Sequence, residues 1–254
     1  MDRKTALITG ASGGIGRAIA EQFARDGVDL VLTARDAAAL QALADQWGTA
    51  YSVRVTVHAC DLAQPGAAQA LADAVLSQGV PIDYLVNNAG YGLFGLFQDT
   101  RLDDELAMTA VNVTALTVLT KRFLPGVRER KGKIMNVAST AGFQPGPYMA
   151  VYYATKAYVL SLTEALAAEL AGTGVTVTAF CPGPTRSGFQ DKAAMQQSAL
   201  VKADAVGRAG YRAMLAGRRV CVPGLMNRLQ VFSLRFLPRR VVTAVVKRMS
   251  RPAS

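Results

Sequence analysis

Short apolar runs of strand length alternate along the chain with longer segments whose apolar positions recur at helical spacing. Thr5–Thr9, Asp29–Ala34, Val53–Cys60, Tyr84–Asn87, Lys133–Ala138, Val175–Phe180 and Arg219–Val222 read as strands. Ile15–Arg25, Ala37–Trp47, Ala67–Ser77, Asp103–Arg130, Val151–Ala171 and Ala203–Ala216 read as helices between them. Strands separated by single helices join in parallel through right-handed crossovers. The pattern therefore predicts an α/β fold with one doubly wound parallel sheet of about seven strands and helices on both faces. Gly27, Gly79, Gly132 and Gly172 fall where helices are expected to stop. No repeat or low-complexity linker divides the chain. Its 254 residues, 51% apolar, suffice for one large domain, assigned here to 1–224, with a helical extension over 225–254.

Ligands of such sheets bind beyond the C-terminal ends of the strands, where the strand order switches. The turn Thr9-Gly10-Ala11-Ser12-Gly13-Gly14-Ile15-Gly16 lies between the first strand and the first helix. Gly10 permits a tight turn, Gly14 lets backbone approach a pyrophosphate, and Gly16 lets helix and strand pack closely. Ser12 and Ile15 complete the cradle at a helix N-terminus that offers free N–H donors. The bland reading is a plain glycine-rich turn; its position after the first strand and before a helix favours Rossmann-type nucleotide binding. The second strand ends Thr33-Ala34-Arg35. Ala34 stands where NAD binding wants an acid for the ribose 2′-hydroxyl, and the Arg35 guanidinium suits a 2′-phosphate. NADP(H) is therefore expected over NAD(H). Asp36 is a nearby acid that also reads as the N-cap of the next helix.

Asp61 and Leu62, after the third strand, suit an adenine edge, and Asp61 reads equally as an N-cap. Asn87-Asn88-Ala89-Gly90 follows the fourth strand and suits backbone, cofactor or both. Ser139 and Thr140 follow the fifth. After the sixth, Pro182-Gly183-Pro184-Thr185-Arg186-Ser187 forms a sharp loop able to cover a nicotinamide.

Tyr152 and Lys156 are four residues apart on a predicted helix, which puts them on one face. An ammonium beside a phenol favours phenolate and lowers its pKa, the property a general acid near neutral pH requires. Tyr153 and Tyr148 compete for the role. Together these residues resemble the short-chain dehydrogenase/reductase family in its form of about 250 residues. The resemblance rests on Thr9–Gly16, Asn87–Gly90, Ser139 thirteen residues before Tyr152, and Tyr-x-x-x-Lys at Tyr152–Lys156, in family order. It implies an oxidoreductase in which Tyr152 is the general acid/base. Lys156 tunes it and holds the nicotinamide ribose, and Ser139 binds the carbonyl. Asn112 is implied as a fourth catalytic residue that positions a relay water; its bland reading is a buried amide at a helix bend. Asn88, Ala89, Gly90, Pro182, Gly183 and Thr185 are implied cofactor contacts. Ser187 stands where the family usually has threonine. The long helices Asp103–Arg130 and Val151–Ala171 resemble the family's oligomer faces, so a homodimer or homotetramer is expected.

The remaining chemistry narrows the field. His58 is the single histidine, in a strand-like run, which argues against a zinc site and a Ser-His-Asp triad. Cys60, Cys181 and Cys221 lie far apart in apolar runs and read as reduced thiols of a cytoplasmic protein. No metal is expected. Tyr91, Leu93, Phe94, Phe97, Phe143, Tyr148, Phe189 and Met195 form a candidate pocket for a hydrophobic ketone, aldehyde or secondary alcohol. Eleven of the 28 basic residues follow Asp204 and no acid does, so the net charge of +10 belongs to the C-terminal part. Its apolar positions interleaved with arginine read as two amphipathic helices broken at Pro238, suited to an anionic membrane surface, a subunit interface or a lid. Nucleic-acid binding is not expected, since no recognised module accompanies the charge. The alternative function is a non-catalytic NADP-binding sensor or scaffold with a membrane-contacting tail.

Overall fold

The computed structural model describes residues 3–186 and 201–250. The first half runs β1 (Thr5–Thr9), α1 (Gly14–Arg25), β2 (Asp29–Ala34), α2 (Ala37–Tyr51), β3 (Val55–Ala59), α3 (Ala67–Ser77), β4 (Tyr84–Asn87), α4 (Leu102–Thr109) and α5 (Leu116–Glu129). It continues through β5 (Lys133–Val137), α6 (Ala150–Glu169), β6 (Thr176–Phe180), β7 (Thr185–Arg186) and β8 (Val201–Lys202). Then come α7 (Ala203–Leu215), β9 (Val220–Cys221), α8 (Leu225–Ser233) and α9 (Arg239–Met249). Seven parallel strands form the main sheet in the order β3-β2-β1-β4-β5-β6-β9. The chain builds outward from β1 to β3, then returns to place β4 on the other side of β1. The crevice beyond β1 and β4 is therefore the switch point.

Successive strand residues face opposite sides of a sheet. Ile8 of β1 packs with Ile19, Phe23, Trp47 and Phe180 on one face, whereas Leu7 packs with Leu85, Leu119, Phe123 and Ile134 on the other. Most of these side chains are fully buried, and each contributes about 1.5–3 kcal/mol of transfer free energy. Two apolar layers thus clamp the sheet and fix the strand ends that carry the polar motifs.

Several boundaries differ from the sequence expectation. The third strand is trimmed to Val55–Ala59 because Arg54 is already engaged: its N–H donates to Asp29 Oδ1 at 2.9 Å. Helix α2 runs past Trp47 to Tyr51, whose hydroxyl reaches Glu21 at 3.3 Å, and ends at Ser52 with φ +55°. The expected helix 103–130 is three segments, since a π-helical stretch, Ala110–Ala115, separates α4 from α5. Gly27, Gly79 and Gly172 do take positive φ after helices. Gly132 does not; Lys131 takes the left-handed turn at φ +49°. Gly132 is needed instead because a Cβ there would overlap the Asp83 carbonyl of the neighbouring strand. The extension forms two helices on either side of Pro238, as its pattern suggested. No described helix is long and apolar enough to cross a membrane.

Candidate active site

A cleft of about 690 Å³ opens at the switch point. Its nucleotide half is built from the first βα turn. Gly10 takes φ +64°, and Gly16 lies where a Cβ would overlap the Gly10 carbonyl and the Asn88 amide. Gly13 is the N-cap of α1 and supplies no side-chain cap, so the first-turn N–H groups face the cleft without a side-chain acceptor. A helix N-terminus left open in this way fits a pyrophosphate. Thr9 ties the turn to the neighbouring strand end: its Oγ1 accepts from Asn88 N and Ala89 N, both at 2.9 Å. The Asn88 side chain donates to the carbonyls of Thr9 at 2.9 Å and Gly10 at 3.2 Å, which selects the backbone-binding reading of that amide. Arg35 is exposed on the cleft rim, with Asp61 and Leu62 also on the wall. Asp36 is used as the N-cap of α2, accepting from Ala39 N at 2.9 Å. Asp61 likewise accepts from Ala63 N at 3.1 Å, closing a local turn.

The other half of the cleft carries Ser139, Tyr152 and Lys156. Ser139 caps the short 3₁₀ turn Thr140–Phe143, its Oγ accepting from Ala141 N at 3.1 Å, and its hydroxyl favours the ionised form of the Tyr152 phenol. Lys156 donates from Nζ to the Val137 carbonyl at 2.8 Å and lies 5.9 Å from the Tyr152 ring centroid. The electrostatics correct one expectation. Burial pushes the Tyr152 phenol above its ordinary value, with the Ser139 hydroxyl opposing in part. Burial also brings Lys156 down to about 8. Desolvation penalises both charged forms, and in the protein alone it outweighs any lowering of the phenol by Lys156.

Asn112 lies in the π-helical stretch, 1% exposed, with its side chain fully engaged. Its Oδ1 accepts from Tyr91 N at 3.1 Å, and its Nδ2 donates to Tyr91 O at 2.9 Å and Thr155 Oγ1 at 3.0 Å. The amide therefore pins the segment after Gly90 to α6. Gly90 must be glycine, since a Cβ would come within 2.9 Å of Asn112 Oδ1 and 3.3 Å of Lys156 Nζ.

Sequence reasoning missed a buried polar chain behind this wall. Asn87 Nδ2 donates to Thr120 Oγ1 and to Asn136 Oδ1, both at 2.9 Å, and Asn136 Nδ2 donates to Thr163 Oγ1 at 3.0 Å. These bonds cross the sheet from α5 to α6. The signal was available in two asparagines within otherwise apolar strands.

Gly10, Ser12, Gly14, Ile15, Asn88, Ala89, Gly90, Pro182, Gly183 and Thr185 all line the cleft. Gly16 and Asn112 sit behind it. Of the substrate candidates, Tyr91 lines the cleft, joined by Met149 and Tyr153, which the pattern did not single out as pocket residues. Phe94 stacks on Tyr148 with centroids 5.9 Å apart, and both lie outside the lining, as do Leu93, Phe97 and Phe143. Ser187, Phe189 and Met195 lie outside the described residues. His58 sits on β3, its pKa lowered by burial, and no metal-binding cluster occurs among the described residues. The three cysteines are free thiols.

A doubly wound sheet with an open glycine-rich turn at its switch point, facing Ser139 and the buried Tyr152 and Lys156, defines a nicotinamide-dependent oxidoreductase. The short chain dehydrogenase family profile matches residues 4–198. A putative ketoacyl reductase of granaticin polyketide synthesis from Streptomyces violaceoruber is 38% identical over 185 residues, 71% of this chain and 67% of that protein. The structure of a short-chain dehydrogenase from Sphingobium yanoikuyae in complex with NADPH matches with a TM-score of 0.83 and 33% identity, over 99% of this chain and 97% of the other. A short-chain dehydrogenase/reductase from Burkholderia phymatum in complex with NAD matches with a TM-score of 0.81 and 30% identity, over 91% and 92%. The chain belongs to the short-chain dehydrogenase/reductase family. It is an NAD(P)-dependent enzyme acting on CH–OH and C=O groups.

Proposed function

We propose that the chain is an NADP(H)-dependent reductase of hydrophobic ketones or aldehydes, with Tyr152 as proton donor. The observation that carries this reading is the convergence of Ser139, Tyr152 and Lys156 in the cleft that also bears the open N-terminus of α1. When bound, the nicotinamide supplies or accepts the hydride. Tyr152 and Ser139 hold the carbonyl oxygen between two hydroxyls, and Tyr152 gives up its proton as negative charge develops there. A phenol raised by burial stays protonated at neutral pH, as a donor must. Lys156 lies beside it and is well placed to return the proton. Asn112 is a positioning residue that holds the Tyr91 backbone and Thr155 of α6.

The cofactor preference rests on Ala34 at the end of β2 and Arg35 on the rim, with the nearby Asp36 engaged as a helix cap. The apolar substrate preference rests on Tyr91, Met149 and Tyr153. A homodimer or homotetramer through α5 and α6 is part of the same reading. On that face Tyr158, 40% exposed, bonds Thr117 across the two helices at 3.0 Å. The test is a carbonyl panel followed by NADPH absorbance. Apolar ketones are expected to saturate the enzyme and NADH to be a poor donor. Turnover confined to small charged keto-acids would contradict the reading.

A further inference from the structure

The proposed reaction leaves the surface of the C-terminal helices unused. On α8, Leu225, Met226, Leu229 and Phe232 are each more than half exposed, and none of its residues is buried. Phe236, 71% exposed, packs against Phe232 with ring centroids 5.2 Å apart. On α9 the rows divide. Val242 and Val246 are buried, whereas Val241, Val245 and Met249 face outward. Arg228, Arg235, Arg239, Arg240, Lys247 and Arg248 are exposed among these apolar positions. None of the six pairs with a carboxylate among the described residues.

Exposed apolar rows of this extent, rimmed by charge, mark an interaction site. The charge selects the occupant. A second copy of this face would set unneutralised cations against cations. An anionic bilayer offers negative headgroups to the arginines and acyl chains to the leucines and phenylalanines. We propose that α8 and α9 dock in the interface of an anionic lipid bilayer.

The helices are also joined to the cleft. The Asn227 side chain lies so close to Gly183 that a Cβ there would come within 2.6 Å of its amide, and Asn227 Nδ2 is held by the Pro223 carbonyl at 2.7 Å. Helix α8 packs against the 140–143 turn as well. Both Gly183 and Thr140 line the cleft. Docking therefore sets the cleft beside the bilayer. Resting on the apolar-carbonyl reading above, it lets a membrane-dissolved ketone reach Tyr152 without crossing water.

The test is flotation of the full chain on vesicles of pure phosphatidylcholine or of phosphatidylcholine with phosphatidylglycerol, at low ionic strength. The protein is expected to float with the anionic vesicles and remain behind with the neutral ones. Each cation near such a surface contributes about fivefold in partitioning, so the triple variant Arg235→Gln, Arg239→Gln, Arg240→Gln is expected to lose roughly two orders of magnitude. The variant Leu229→Ser, Phe232→Ser, Phe236→Ser is expected to stop floating while binding NADPH and eluting in gel filtration as the parent does. No flotation of the parent chain on anionic vesicles, or equal flotation of the parent and both variants, would overturn the proposal. So would a change of oligomer size in the serine variant with flotation intact. Flotation needs no turnover, so a failed carbonyl assay leaves this result readable, and the reverse also holds.

Discussion

Along β1 and β2 the cleft wall is made of small residues and backbone. Gly10, Gly14 and Gly16 shape the turn, and the helix N-terminus is left open. Along β4, β5 and α6 the wall is made of buried polar side chains. Asn87, Asn112, Asn136, Thr155, Lys156 and Thr163 are all 5% exposed or less, and most of them bond to one another across helices and strands. One half presents donors and makes room; the other holds side chains at fixed positions. The difference follows the chemistry each half serves. A pyrophosphate is gripped by main-chain N–H groups, which need close approach more than side chains. A proton donor has to be fixed in place, and a low-dielectric network of hydrogen-bonded polar groups does that.

The sharpest way to break this contrast is to give the glycine half a side chain. In Gly16→Ala the new Cβ meets backbone at Gly10, which has no rotamer to give way. Overpacking of this kind costs about 1–3 kcal/mol. NADPH affinity, read by fluorescence titration, is expected to fall by about a hundredfold, with a loss in Tm. Unchanged binding would mean that the turn is not the cradle. In the other half the equivalent cut is Asn136→Ala. It leaves an Asn87 amide proton without its partner, at about 1–3 kcal/mol, while the Thr163 hydroxyl keeps its bond to the Val159 carbonyl. Denaturant unfolding is expected to show that loss in midpoint while KM for NADPH stays put, because the chain of amides lies behind the reaction wall.

This contrast also explains what was legible in the residues. β1, β2 and β4 fall where their apolar runs placed them, since a buried strand advertises itself by composition. The glycine turn was legible because only glycine satisfies its geometry. The π-helical stretch was not: Ala110–Ala115 keeps the apolar spacing of its neighbours, and an extra residue per turn leaves no compositional mark. The two asparagines of the polar chain stood out within their strands, but the pairing of Asn87 with Asn136 was not legible. Its members lie 49 residues apart, and only the β4–β5 register makes them neighbours. Tyr152 and Lys156 were found by spacing, but their electrostatics were misjudged, because burial depends on how α6 seats against the sheet.

A smaller effect sharpens the cofactor side. Arg35→Ser removes a cation from the rim and is expected to raise KM for NADPH by about tenfold, with KM for NADH little changed. Equal effects on both cofactors would remove Arg35 as the discriminator. Smaller still is a pH effect from the reaction side. Lys156 ordinarily titrates at 10.5 and burial brings it to about 8. Between those values the unfolded chain holds the proton and the folded chain does not. Stability of the parent relative to Lys156→Met is therefore expected to rise as pH climbs from about 8 to 10.5, and to be flat below 8. Urea midpoints for the two proteins across that range measure it. A falling or level difference would mean that Lys156 is not desolvated.

The central claim is that Tyr152, and not its neighbour Tyr153, donates the proton. Both line the cleft, their rings 6.0 Å apart at an interplanar angle of 78°. The direct measurement pairs NADPH titration with single-turnover reduction of an apolar ketone in Tyr152→Phe and Tyr153→Phe. The account predicts that both variants bind NADPH as the parent does, that Tyr152→Phe slows reduction by about 10²–10⁴-fold, and that Tyr153→Phe stays within about tenfold. Reduction at the parent rate by Tyr152→Phe, with Tyr153→Phe inactive, would contradict it.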